Sequence, residues 1–294
     1  MNINMGDIYA IMTAFCWSTA VILFDISSKK LDSYQMNVIK NLIGVCGFII
    51  SIIFLGIPFP NFTSSEIWIL MISGVIGVAI ADLFFLTALK KLGSSLLAVV
   101  STIYSPSIFV IAYIMFRETI TLQSYLGAIL VIAGIVVTTY KAPKVLDRKK
   151  LYLGIFFGII AQFLTAYSVL LVRPIMENNP ILIIALCRFS IGLCVTMGIL
   201  ALRDGPSGLI STVKTGLRMK SIVFGAFLGT YLSVIFWLAG FKYTLAGRAA
   251  IYNQLSTVFI VIMAVLFLKE TMSMKKWIGV FLSVSGAILV FISN

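Results

Sequence analysis

The sequence contains no histidine, so the residue that most often serves as general base and metal ligand is missing. Charge is scarce as well: Asp, Glu, Lys and Arg make up 11% of the 294 residues, and only 10 are acidic. That little polar surface cannot cover a water-soluble globule of this length. The four cysteines, Cys16, Cys46, Cys187 and Cys194, sit inside apolar runs with no paired spacing and are expected to be packing residues. There is no glycine-rich phosphate loop and no close carboxylate pair at a helix end. These absences argue against a pump that hydrolyses nucleotides by itself and leave, of the enzymatic alternatives, a serine or lysine nucleophile in a cavity.

Hydrophobic residues make up 61% of the chain and the mean hydropathy is +1.10. The apolar runs are about 20 residues long, enough to cross roughly 30 Å of hydrocarbon as a helix. They are continuous rather than alternating, which predicts helices and excludes a barrel, since backbone groups in lipid must be satisfied within the segment. Helices are predicted at 8–27, 34–56, 67–89, 95–116, 122–140, 152–172, 181–202, 221–241, 249–268 and 275–293. The start, Met1 to Asp7, carries no Lys or Arg and no small-residue cleavage site follows, so the first helix is expected to be a mature span.

The chain repeats itself. At an offset of 152 residues Lys90 falls on Lys242, Ala112 on Ala264, Glu118 on Glu270, Thr119 on Thr271, Gly127 on Gly279 and Gly134 on Gly286. At an offset of 148, Gly6 falls on Gly154, Lys40 on Arg188 and Gly44 on Gly192, which places a four-residue length difference after the second helix of each half. The expected organisation is a first five-helix repeat at 1–142, a basic linker at 143–150 and a second repeat at 151–294. Five is odd, so the second copy enters the membrane the opposite way up. The predicted fold class is therefore all-α integral membrane, with ten transmembrane helices as two inverted five-helix repeats and any binding site at the midplane between them.

Sixteen of the 22 Lys and Arg residues lie in the loops on one side (Lys29, Lys30, Lys90, Lys91, the run Lys141 to Lys150, Arg203, Lys214, Arg218, Lys220, Lys269, Lys275, Lys276) and four on the other (Arg117, Arg173, Lys242, Arg248). By the positive-inside rule the termini lie outside the cytoplasm. Short basic loops beside anionic lipid also account for the net charge of +12 without nucleic acid.

Around the repeated junctions Arg117-Glu118 and Lys269-Glu270, the chain resembles the drug/metabolite transporter superfamily, specifically its ten-helix EamA-type members. Ser105-Pro106 in the fourth helix, Gly127 and Gly134 after the junction, and a basic residue in the second helix of each half, Lys40 and Arg188, carry the resemblance. It departs at Val258, where the first copy has Pro106, and the family's habit of cytoplasmic termini runs against the loop charges. The resemblance implies a multi-pass protein of the plasma or inner membrane that exports metabolites.

Ionisable groups inside the membrane are costly, about 3 kcal/mol each on insertion scales, and face a wet cavity or a partner. Asp82, Lys40 and Arg188 qualify, with Asp25 near the end of the first helix. In a functional reading Lys40 or Arg188 attracts a substrate carboxylate or phosphate, while Asp82 binds a coupling proton or a substrate amine. In a structural reading Asp82 pairs with a cation, or the cations snorkel to the interface. Ser101, Tyr104 and Ser105 share a face of the fourth helix, and Asn253, Ser256 and Thr257 take the corresponding places in the ninth, widened by Tyr252 and Gln254. Trp17 and Ser18, Phe85, Gln162, Thr165 and Tyr167, Tyr231 and Trp237 are expected to complete the wall. Each alone is better explained as an interhelical hydrogen bond or a packing aromatic. Glu118 and Glu270 read as loop-fixing residues at helix starts, and the Gly127/Gly134 and Gly279/Gly286 pairs as close-approach faces.

Together these readings predict a gradient-driven secondary transporter of small metabolites, foremost an exporter of amino acids or zwitterions. Import of a sugar, nucleoside or cofactor is the alternative, and a membrane enzyme or scaffold the remote one. The expected partners are a small-molecule substrate and the lipid bilayer, with no nucleic acid and no cofactor or metal, and a monomer suffices.

Overall fold

The computed structural model describes residues 5–117, 122–139, 148–244 and 246–292. Ten helical elements follow in order: α1 Met5–Ser28, α2 Ser33–Leu55, α3 Ser64–Leu92, α4 Ser94–Phe116, α5 Leu122–Thr139, α6 Arg148–Asn178, α7 Ile181–Arg218, α8 Lys220–Tyr243, α9 Ala246–Leu268 and α10 Met274–Ile292. Among the described residues, α1 to α4 and α6 to α8 meet the length and hydropathy of a membrane span outright, and α5 and α9 contain shorter apolar stretches, Tyr125–Val137 and Tyr252–Leu268. Their outward faces carry large apolar side chains such as Phe54 (86% exposed) and Phe281 (71%), which only lipid can solvate.

Local chemistry sets the helix ends. Asp32 and Gln35 form a reciprocal capping box that starts α2, and Thr63 and Glu66 form another that starts α3. Gly56 ends α2 in the left-handed conformation at φ 59°. Arg117 and Lys269, 152 residues apart, close α4 and α9 in the same left-handed state, φ 56° and 55°. Glu118 lies outside the described residues. Its counterpart Glu270 accepts a hydrogen bond from the Ser94 hydroxyl at 3.1 Å, in keeping with a loop-fixing role.

Two boundaries differ from the sequence reading. Helix α6 starts at Arg148, so the last residues of the expected linker form its first turn, while 140–147 lie outside the described residues. The stretch after the seventh span, expected as loop, is helical from 206 to 218 beyond a kink at Gly205 (φ 76°, ψ 167°). Its Leu209 and Val213 pack on the core, Thr212 is buried, and Gly216 lies against Ile39. That i, i+3/4, i+7 spacing makes a narrow apolar stripe, obscured in sequence by Gly205, Pro206 and Gly208.

A pseudo-two-fold axis relates the halves, and close glycine contacts display it. Gly6 abuts Tyr243 and Thr244, while Gly154 abuts Lys91 and Leu92; Gly44 abuts Thr230, while Gly192 abuts Val78; Gly77 abuts Ser168, while Gly229 abuts Ala20. Each pair interchanges under the 148 and 152 offsets. On the axis α5 packs against α10 with Gly134 on Gly279 and Gly286 on Gly127. Residue number rises along one helix as it falls along the other, so the pair is antiparallel and the two repeats are inverted. A Cβ at Gly134 would lie 2.6 Å from the Gly279 carbonyl oxygen, and one at Gly286 lies 2.6 Å from that of Gly127, so only hydrogen fits. The remaining eight helices pack as α1 against α8 and α9, α2 against α7, and α6 against α3 and α4. A cavity lies among them.

Candidate functional site

Helix α3 changes pitch before it reaches the cavity. Residues Gly74–Ala81 form a π-helical segment, and α8 carries the counterpart at Phe227–Leu232. A π turn widens the helix and leaves carbonyls exposed, a feature common at functional sites. Here Asn37 of α2 donates to the Ala79 carbonyl at 3.0 Å, and Gly74 lets the backbone approach the Arg188 carbonyl so closely that a Cβ would stand 2.6 Å from it. The α-helix resumes at Asp82, whose carboxylate is thereby aimed across at α2.

Lys40 meets it there. Its Nζ lies 2.5 Å from Asp82 Oδ2, donates also to Asn41 Oδ1 at 2.9 Å, and sits 5.7 Å from the Phe189 ring centroid. Lys40 is 4% exposed and Arg188 2%, so neither snorkels to the interface. A buried ion pair of this kind offsets two desolvation penalties of several kcal/mol each.

Arg188 holds the equivalent place in α7, and among the described residues no carboxylate lies within ion-pair distance of it. One nitrogen, Nη2, donates to Ser168 Oγ at 2.7 Å; Nε and Nη1 have no hydrogen-bond partner among the described residues. The guanidinium lies 5.8 Å over the Trp237 ring, with the Tyr104 phenol beside both. The Asn253 amide is likewise buried with neither atom bonded. Leaving such groups unmatched costs about 1–3 kcal/mol apiece, more for a charge, which a ligand bearing acceptors would offset.

These groups converge on one cavity of about 150 Å³. Of the residues singled out in the sequence, Trp17, Lys40, Asp82, Phe85, Ser101, Tyr104, Gln162, Thr165, Arg188, Trp237, Asn253, Gln254, Ser256 and Thr257 line it. Trp17 packs on Phe85 with ring centroids 5.3 Å apart, and Gln162 donates to Ser101 at 3.0 Å. Five stand off the wall. The Ser105 hydroxyl accepts from Gln254 at 2.8 Å, and Ser18 bonds the Phe15 carbonyl. Tyr231 is wedged between Phe48 and Phe227 with its hydroxyl on Ser51; Tyr167 packs into the adjoining core, and Tyr252 lies outside the lining.

Pro106 explains part of this arrangement. Lacking an N–H, it leaves the Thr102 carbonyl short of its usual donor, the helix tightens at Thr102 and Ile103 into i→i−3 bonds, and Gln254 donates to Thr102 O at 3.4 Å. Gln254 is thus both wall and strut.

Sequence reasoning missed Thr13, Ala14, Gly77, Val78, Phe189, Gly229, Thr230, Ser233 and Val234. The repeat register would have found several: Gly77 and Gly229, and Val78 and Thr230, are each 152 apart, like Phe85 and Trp237 or Asp82 and Val234. Most of the wall comes as such pairs.

Among the described residues no group of His, Cys, Asp and Glu is placed to hold a metal. The EamA-like transporter family model matches twice, at residues 4–140 and 152–292. An uncharacterized transporter of Archaeoglobus fulgidus is 21% identical over 288 residues, covering 96% of both chains. One of Synechocystis is 21% identical over 238 residues, 79% of this chain and 67% of the relative. A solved crystal structure shares the fold, with a TM-score of 0.68 over 97% of each chain at 15% identity. Ten inverted helices, a membrane-facing surface and a double match over nearly every residue lead to one assignment: this multi-pass membrane protein belongs to the EamA-like transporter family.

Proposed function

We propose that the chain is a gradient-driven transporter working by alternating access, and that it exports amino acids or related zwitterions. The two repeats, 1–142 and 151–294 joined by the linker 143–150, rock against each other and open the cavity to one side at a time. The observation that carries this reading is the content of the cavity: one carboxylate and two buried cations, walled by aromatic rings and hydroxyls, on the axis between the repeats. Arg188 suits a substrate carboxylate, through nitrogens that have no other acceptor. Asp82 suits an ammonium group, and Trp17, Phe85 and Trp237 an apolar side chain. The outward direction rests on the family resemblance. One copy of the chain contains the whole cavity, so a monomer is the proposed working unit.

The test is a thermal-shift screen of purified protein against amino acids, sugars, nucleotides and cationic drugs, followed by efflux from proteoliposomes. Amino acids should raise the melting temperature by several degrees and leave the vesicles chemically unchanged; stabilisation by sugars or nucleotides alone overturns the substrate class. The alternative role for Asp82, binding a coupling proton in place of a substrate amine, predicts that Asp82→Asn loses the pH dependence of flux, and full retention removes Asp82 as the proton site.

A further inference from the structure

The pseudo-two-fold maps Lys40 onto Arg188 but Asp82 onto Val234. The cavity therefore holds one carboxylate for two cations, and the carboxylate is taken: Lys40 Nζ lies 2.5 Å from it. Within the pair the exposures differ. The Lys40 side chain is 5% exposed and that of Asp82 is 21%, so the carboxylate is the member open to an incoming group. Resting on the zwitterion reading above, we propose that Lys40 is a tethered stand-in for the substrate's ammonium group, neutralising Asp82 while the carrier is empty and yielding it when an amino acid binds.

Three physical points support this. An unpaired carboxylate in a low-dielectric bundle costs several kcal/mol. A carrier whose Asp82 was bare could not readily pass through the closed state in which water is squeezed from the cavity, so the empty carrier needs a cation of its own to return. Lys40 also has other partners at hand: while paired with Asp82 it already donates to Asn41 Oδ1 at 2.9 Å and sits 5.7 Å from the Phe189 ring. Finally, a zwitterion adds no net charge. Its ammonium replaces Lys40 on Asp82 and its carboxylate meets Arg188, so empty and loaded carriers hold the same total charge, and in each Asp82 is matched. Lys40 is thus a positioning residue for the cycle and a determinant of whether the empty carrier can reset.

The experiment uses the full chain in liposomes loaded with a ¹³C-labelled mixture of the twenty protein amino acids. Efflux is read by mass spectrometry into plain buffer, where the carrier returns empty, and into buffer holding the unlabelled mixture, where it returns loaded. Wild type should show both. In Lys40→Met the ratio of net efflux to exchange should fall by about tenfold or more, because only the empty return meets a bare carboxylate. Lys40→Gln, which can still bond Asn41, serves as the second variant with the same expectation should the first fail to fold. Lys40→Arg should keep the wild-type ratio, since its charge still neutralises Asp82 while the carrier is empty. A ratio unchanged in Lys40→Met, or one that falls equally in Lys40→Arg, overturns the proposal while leaving the substrate reading intact. No amino-acid flux by the wild type overturns the substrate reading and this proposal with it.

Discussion

Lys40 and Arg188 occupy the same place in the two repeats, yet Lys40 is gripped by a carboxylate while Arg188 donates to the hydroxyl of Ser168 and lies over the Trp237 ring. The difference follows from one position. Where the first repeat has Asp82, the second has Val234, so the symmetry that builds the cavity is broken at its most polar point.

Arg188 is therefore expected to matter for flux more than for folding. Arg188→Gln should raise the KM for amino acids in proteoliposomes by about 10- to 100-fold, the worth of a charge-assisted hydrogen bond of roughly 1.5–3 kcal/mol. Its melting temperature in detergent should stay level or rise, because a buried and largely unmatched charge is removed. A drop of many degrees with KM unchanged would assign Arg188 to structure instead.

The glycine crossing of α5 and α10 predicts a matched pair of defects. Gly134→Val and Gly286→Val each drive side-chain atoms into the facing backbone, at about 1–3 kcal/mol of overpacking or more. Both should lower the melting temperature by a similar amount. Gly198→Ala, where a Cβ meets nothing within 4 Å, should not.

Pro106 and Gln254 should be energetically coupled. Gln254→Leu leaves the Thr102 carbonyl and the Ser105 hydroxyl poorer by a donor, a loss of about 1 kcal/mol or more. In a Pro106→Ala background the restored backbone N–H can serve that carbonyl, so the same substitution should cost less. A double-mutant cycle on thermal unfolding measures the difference, and strict additivity would refute the coupling.

Loop charges predict termini outside the cytoplasm, against the habit of the family. A C-terminal alkaline phosphatase fusion should be active and a C-terminal green fluorescent protein fusion dark. The reverse pattern would return the termini to the cytoplasm.

Much of the fold was legible because membrane spans announce themselves by length and hydropathy, and because the duplicated register is nearly gapless. The helix at 206–218 was not, since its apolar stripe is narrow and punctuated by helix breakers. At the site, Asp82, Lys40 and Arg188 stood out because charge inside lipid is rare. Which cation pairs with Asp82 depends on the π-helical pitch of Gly74–Ala81, a tertiary effect with no local signal. Polar faces misled where a hydroxyl serves a neighbouring helix: Ser105 answers Gln254, and Tyr231 answers Ser51. Glycines such as Gly77 and Gly229 were silent, having no side chain to suggest a role, although they let other helices reach the cavity.

The axis running between Gly134 and Gly286 has one more implication. Two halves built on one helical plan can trade postures: a bend that the first adopts is one the second is built to adopt too. On the alternating-access reading proposed above, the opposite-facing form then requires no unfamiliar shape, since each half need only assume the other's about that close helix crossing.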